Sequence, residues 1–516
     1  MTAHNGPVCT HRAWLVFALL SALLTAMLSV GCSGGRGERQ ATDPAAALKE
    51  NSKPGSSVTP LDMKEQRALV DRVWDESKGT PAARREATKD ILWRASVGAP
   101  ARIRALELLA EDPTDAEGAD TRTLLMLFLP VEPDYAVVRR ACEIIVQRGW
   151  QDLSAALVRA LARQQSVIPD NERVEAVTLL ALNPGKSLVE IAFAQFAREP
   201  VGKGRALERQ ERERAAAWDL LTRLDRDGSK RVAIASDPSF AAQGLAGELQ
   251  EAVRVLGAVP VTSEQLAWVG LMRKEAAGGA WWTQTAGAMG VISAEARTGW
   301  ALRHAEAARW AQQNHPEWLR ASRQDLVAQI KGRLGKRKFH TREPEGADQM
   351  AGNESFNDQQ KKLVWGDLLL ILVVDDALQG VGSAEALWQQ ARRDMADQST
   401  ELGGIVQAQG GEQSGQGGRW EFKLFPPRGS QRTGDKRFIA SDEMIKGSTF
   451  AIAHYHFHAQ EVRNRKYAGP SPGDAEYAAR FGRACLIFTP VKEGVLNADL
   501  LLPTGVCIDL GEIVAR

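Results

Sequence analysis

The residues best suited to chemistry lie in one ten-residue stretch, AIAHYHFHAQ, residues 451–460. Three of the eight histidines in the chain, His454, His456 and His458, alternate there with Tyr455 and Phe457. In an extended strand successive side chains point to opposite faces, so one face carries three imidazoles and the other two aromatic rings. Imidazoles two residues apart on a strand lie roughly 7 Å apart at Cα, because the rise is about 3.3 Å per residue. Two rings at that spacing can converge on one metal ion. The alternative is a polar strand face whose histidines hold no ligand.

The elements on either side have recognisable starts. Downstream comes AGPSPGDAEYAARFG, 468–482, in which Ser471-Pro472-Gly473-Asp474 reads as a helix beginning. Ser is a good N-cap, Pro suits the first helical position, and an acidic third residue completes a capping-box-like start. Upstream, SAEALWQQARRDMADQSTELGGIV reads as a helix running into a strand that begins near Glu401. A carboxylate at that point is unusual, since strands disfavour acidic residues.

In order and context these pieces resemble the JAMM (MPN-type) metallopeptidase family. Its pattern is Glu-x-x-Gly at a strand start after a helix, then His-x-His on a later strand, then Ser-x-x-Asp at a helix start. Here they read Glu401-Leu-Gly-Gly404, His456-Phe-His458 and Ser471-Pro-Gly-Asp474, within residues 380–516. Tyr455 and Pro470 also look familial. Ala459 stands where the family usually has Pro, and twelve residues separate His458 from Ser471, a longer loop than is common. The resemblance implies an α/β domain with a curved, mainly antiparallel sheet flanked by helices. It implies a zinc ion held by His456, His458 and Asp474, with a fourth position open to water. It makes Glu401 the general base and Ser471 the hydroxyl that stabilises the oxyanion, and it leaves His454 as a bystander. The implied activity is hydrolysis of a peptide or isopeptide bond in a peptide or protein substrate. The alternative is a non-catalytic JAMM-like binding or scaffold protein.

The rest of the chain reads as a scaffold for that domain. Residues 62–330 are helical in pattern almost throughout. IRALELL, RRACEII, VEAVTLL and AAAWDLL begin at 103, 139, 174 and 215, and the first three are each followed by a second amphipathic stretch. Paired helices at this period resemble HEAT-like α-solenoid repeats, which implies a surface for a protein partner or substrate. A non-repetitive helical domain is the other reading. No catalytic constellation stands out there, and the tryptophans between 268 and 318 read as core and groove lining. Residues 332–360 lose apolar periodicity and read as a linker or long loop, with the basic cluster KGRLGKRKFH at 331–340 solvated. Beyond 396 glycine-rich turns separate β-type runs: WEFKLF, TFAIAHYHF, ACLIFTP and GVCIDLG. This division predicts that a fragment from about 360 onward binds metal by itself.

The N-terminus indicates a compartment. An uncharged run, Ala13–Val30, follows a weakly basic start and ends in Gly31-Cys32. Such a pattern describes a secretory signal, and its Val-Gly-Cys ending resembles a bacterial lipoprotein signal, 1–32, with Cys32 lipidated. Ser29 stands where that signal usually has Leu. An uncleaved anchor and ordinary secretion are the alternatives, and all three place the folded part outside the cytoplasm. Residues 33–60, small and polar with Pro and Gly, read as a flexible linker. With 65 basic and 64 acidic residues, nothing points to a nucleic-acid partner. Of the five cysteines, Cys142, Cys485 and Cys507 lie in the folded part, too few for a disulfide scaffold; the last two are candidates to pair.

Overall fold

The computed structural model describes residues 44–51, 61–76, 80–164, 167–238, 240, 244–274, 276–340, 353–409, 419–434 and 437–515. Cys32 and the run before it lie outside these residues, as does most of 33–60. The described part of that spacer, Pro44–Asn51, is a helix with Leu48 buried, not irregular chain. Two compact units are formed, one up to Thr114 and one from Asp115 onward. The first of the four recurring segments falls in the helix Ala99–Glu111 of the first unit. The other three fall in Tyr135–Arg148, Val174–Leu182 and Arg205–Leu224 of the second.

Buried arginines close several of these helices. Arg173 is fully buried and donates to the carbonyls of Ala160, Leu161 and Arg163 at 3.0, 2.8 and 2.6 Å, while Glu175 balances its charge. The last carbonyls of a helix have no partner within it, and a cation there satisfies both the hydrogen bonds and the dipole.

The C-terminal part of the second unit contains a six-stranded mixed sheet that does not close. Its strands are β1 (Gly403–Gln409), β2 (Arg419–Leu424), β3 (Ala451–Phe457), β4 (Ala484–Lys492), β5 (Val495–Leu501) and β6 (Cys507–Val514). They lie in the order β2-β1-β3-β4-β5-β6. Only β3 and β4 are parallel; the other neighbours run antiparallel. A parallel pair needs a crossover, and the helix Pro472–Phe481 lies in the connection from β3 to β4. A helical region joined to an α/β sheet is therefore what the chain forms.

Six helices matter for the site: α1 (Ser263–Lys274), α2 (Ala305–Asn314), α3 (Arg323–Leu334), α4 (Trp365–Leu378), α5 (Ser383–Met395) and α6 (Pro472–Phe481). Helix α4, WGDLLLILVVDDAL, is buried at every position except Asp376, and its two buried carboxylates, Asp367 and Asp375, pair with Arg303 and Arg337. One hydrophobic core runs from Ala252 through α2, α3 and α4 to Ile513 on β6. Trp281, Trp282, Trp300, Trp310 and Trp318 are buried in it.

The boundary expected at 332–360 is thus not a break in packing. Residues 331–334 complete α3, with Leu334 buried. Arg337 donates to the carbonyl of Leu510 at 2.9 Å and pairs with Asp375 at 2.6 Å. The amides of Glu512 and Asp509 donate to the carbonyls of Lys338 and Glu354 at 2.9 Å each. Both described ends of the stretch are therefore anchored along β6, and the basic cluster is not simply solvated. Among the described residues no helix is long and apolar enough to cross a membrane.

The described cysteines are free thiols. Cys485 and Cys507 both pair with Leu501 of β5, from opposite sides. Two strand spacings, about 9–10 Å, exceed the reach of a disulfide.

Candidate metal centre

The start of β1 sets the position of Glu401. The amide of Leu402 donates to the Asp394 carboxylate of α5 at 2.5 Å, and the carbonyl of Leu402 accepts from Phe457 at 3.1 Å. The two glycines that follow allow the strands to close. A Cβ on Gly403 would lie 2.4 Å from both the Phe438 ring and the Tyr455 carbonyl, and one on Gly404 would lie 2.0 Å from the Lys423 carbonyl. Glycine is what permits this approach, and it brings the buried Glu401 beside the end of β3.

Strand β3 is buried on both faces. Tyr455 and Phe457 join the main core, where they meet Phe488. The histidine face turns toward α6. Ser471 is the N-cap of α6 and forms a reciprocal capping box with Asp474. Its hydroxyl accepts from the Asp474 amide at 3.3 Å, and its own amide donates to Asp474 Oδ2 at 2.6 Å. The box aims the Asp474 carboxylate at the two rings. Oδ1 lies 3.1 Å from His456 Nε2, Oδ2 lies 3.4 Å from His458 Nε2, and the two Nε2 atoms are 3.3 Å apart. Glu401 completes the cluster, with its carboxylate within 4.8 Å of both ring nitrogens.

The far side of each ring is also held. His458 Nδ1 donates to the Tyr467 carbonyl at 3.0 Å, which turns the Nε2 edge of the ring toward the cluster. His456 Nδ1 lies 3.5 Å from Cys485 Sγ, and Phe438 stacks on the same ring at 4.9 Å and 7°. His454 is engaged elsewhere. Its Nδ1 lies 2.8 Å from the Tyr477 hydroxyl, and its Nε2 has no hydrogen-bond partner among the described residues. Burial, with the nearby Arg483 charge, pushes its pKa down to about 3, so the ring is neutral.

Electrostatics ties the cluster together. Burial raises the Glu401 carboxyl, against the opposing charges of His458 and His456. At His458 burial disfavours the cation, but the Asp474 hydrogen bond and charge, with Glu401, carry its pKa up to about 9. Burial likewise opposes the Asp474 carboxylate, and the charges and hydrogen bonds of His456 and His458 outweigh it, holding that group well below the usual range.

The donor set fits a tetrahedral cation. Bonds of about 2.0–2.1 Å to nitrogen or oxygen give tetrahedral edges of about 3.3 Å, and the Nε2 atoms of His456 and His458 lie 3.3 Å apart. Asp474 offers a different oxygen to each ring, Oδ1 at 3.1 Å and Oδ2 at 3.4 Å, and Glu401 also lies within 4.8 Å of both rings. Two imidazoles and a carboxylate suit zinc, and they are also the donor types of iron(II) oxygenase sites. Asp394, Phe438, Tyr467 and Cys485 were not expected at this site from the sequence. Each acts through a contact between distant segments, and none stands in a pattern that marks it. No protein-family model, curated protein or solved structure matches the chain.

Proposed function

We propose that this protein is a zinc-dependent hydrolase of JAMM type that cleaves a peptide or isopeptide bond. In the same reading it is held by lipid at Cys32 on a bacterial membrane, faces outside the cytoplasm, and offers its helical region to a protein partner or substrate. The observation that supports the reading is the convergence of His456, His458 and the Asp474 carboxylate within 3.1–3.4 Å, with Glu401 in the same cluster, within 4.8 Å of both rings. His456, His458 and Asp474 would hold the metal. Zinc bound there would polarise the scissile carbonyl and lower the pKa of a water molecule.

The protein's own groups supply the rest. Burial raises the proton affinity of Glu401, which suits it to take a proton from the attacking water and deliver it to the leaving amine. The Ser471 hydroxyl stands at the N-terminus of α6, where the helix dipole favours developing negative charge.

The test is metal content of the purified protein, followed by hydrolysis of a peptide library with and without chelator. Near one zinc per chain, with cleavage that chelator abolishes and zinc restores, is the expected result. Iron in place of zinc overturns the hydrolase reading. Zinc without cleavage favours the binding or scaffold alternative, and so does the absence of any metal.

A further inference from the structure

We propose that Cys485 is a positioning residue of the metal centre, a neutral thiol that fixes the ring of His456 from behind. The inference rests on the reading of His456 as a metal ligand. The two nitrogens of an imidazole lie on different edges of the ring, so a ring whose Nε2 faces the cluster presents Nδ1 away from it. For His456 the Nε2 edge faces Asp474 and His458 at 3.1 and 3.3 Å. The Nδ1 edge faces β4 and meets Cys485 Sγ at 3.5 Å.

The parallel pairing of β3 with β4 creates this contact. Cys485 is the register partner of His454, and Ile487 that of His456. Cys485 therefore stands one residue pair back along the histidine face, diagonal to His456. The thiol is fully buried among Ala478, Ile487 and Leu501. Its Sγ lies 3.9 Å from the carbonyl of Leu486, and an S–H turned that way leaves sulfur lone pairs for the Nδ1–H of His456.

This role is distinct from ligation, because the sulfur lies on the edge of the ring that points away from the cluster. It matches what the Tyr467 carbonyl does for His458, so each ligand ring has one fixed acceptor behind it. Partners of this kind set the tautomer and orientation of a metal-bound imidazole, and their loss typically costs 10–100-fold in metal affinity. An apolar replacement at 485 leaves a buried N–H without an acceptor. Phe438 stacks on the face of the ring and does not replace that hydrogen bond.

The experiment compares wild type, Cys485→Ala and Cys485→Ser by zinc titration against a chromophoric chelator and by the rate of zinc loss. Melting of each metal-free protein is followed in parallel. Cys485→Ala is expected to bind zinc about 10–100-fold more weakly than wild type. Cys485→Ser, which restores an acceptor, is expected to recover most of that loss. If Cys485→Ala does not fold, Cys485→Val takes its place, filling the volume of the thiol without an acceptor. Wild-type affinity in the Ala or Val variant overturns the thiol's role and leaves the zinc reading standing. A Ser variant as weak as the Ala variant also overturns it, since the effect then comes from volume. A wild type that takes up no zinc overturns both readings.

Discussion

Replacing Asp474 with Asn tests the metal centre most sharply. The amide has the shape of the carboxylate, and its oxygen can still accept from the Ser471 amide, so the helix start is kept. What is removed is the charge that stands 3.1 and 3.4 Å from the two Nε2 atoms. A four-ligand zinc site supplies about 10–16 kcal/mol at neutral pH. One ligand's share is then on the order of 3 kcal/mol, or about 10²-fold in affinity. At free zinc about 100 times the native dissociation constant, binding adds about 2.7 kcal/mol of stability. The variant at that concentration sits near its own dissociation constant and gains only about 0.4 kcal/mol. The assay is denaturant unfolding of each protein with and without zinc, a comparison that cancels changes in the metal-free fold. The zinc-induced stabilisation should shrink about sevenfold. An Asp474→Asn protein with the full native gain would remove Asp474 from the ligand set.

Other outcomes follow from the same geometry. Glu401→Gln should keep about one zinc per chain while turnover falls about 10²–10⁴-fold, the usual contribution of a general base; loss of zinc would make Glu401 a ligand. His454→Ala should leave zinc affinity within about twofold, because that ring is held by Tyr477 outside the cluster; a steep loss would shift the ligand register by two residues. Burial raises the Asp509 carboxyl from 3.8 to about 6. The folded chain thus keeps a proton that the unfolded chain releases, and stability declines as pH rises from about 4 through 6. Asp509→Asn removes the charge, and with it one of the two oxygens that accept the amides of His340 and Gly511. Its effect on stability should be more favourable at pH 8 than at pH 4 by up to about 3 kcal/mol, read by denaturant unfolding at both values; an equal effect at the two would refute the assignment. Finally, a fragment from 360 should fail to fold by circular dichroism, since it leaves out core residues from Ala252 to Leu334. A fragment from 244 should fold, and folding of the shorter one would show that the shared core is dispensable.

What could be read from the residues was local chemistry. Glu401, His456, His458 and Asp474 announce themselves by type, spacing and element starts, and alternation placed Tyr455 and Phe457 on the core face. That the histidine face is buried as well could not be seen, because the covering helix α6 is brought over it by the β3–β4 crossover. The separate domains inferred at 332–360 have a physical cause too. Loss of periodicity signals a loop, but it says nothing about whether Arg337 and Glu354 find β6. Helix α4 is buried on nearly every side, so it has no single apolar stripe from which to infer its neighbours. The run VLNADLL, which forms β5, is buried at every position and lacks the alternation that marks a half-exposed strand. Cys485 stood out only as a candidate for a disulfide, and the parallel register beside His454 is what gives it a different use.

The far end of α6 is closed by a residue from a distant part of the chain. The Gln265 side chain donates to the carbonyl of Gly482 at 2.7 Å, across 217 positions of sequence. Contacts of such separation require closure of a long loop before any favourable energy is returned. Synthesis proceeds from the N-terminus, so the partner on α1 exists long before the helix that bears Asp474. A metal ion held there would meet its full set of ligands only after the helical region that closes α6 has been made.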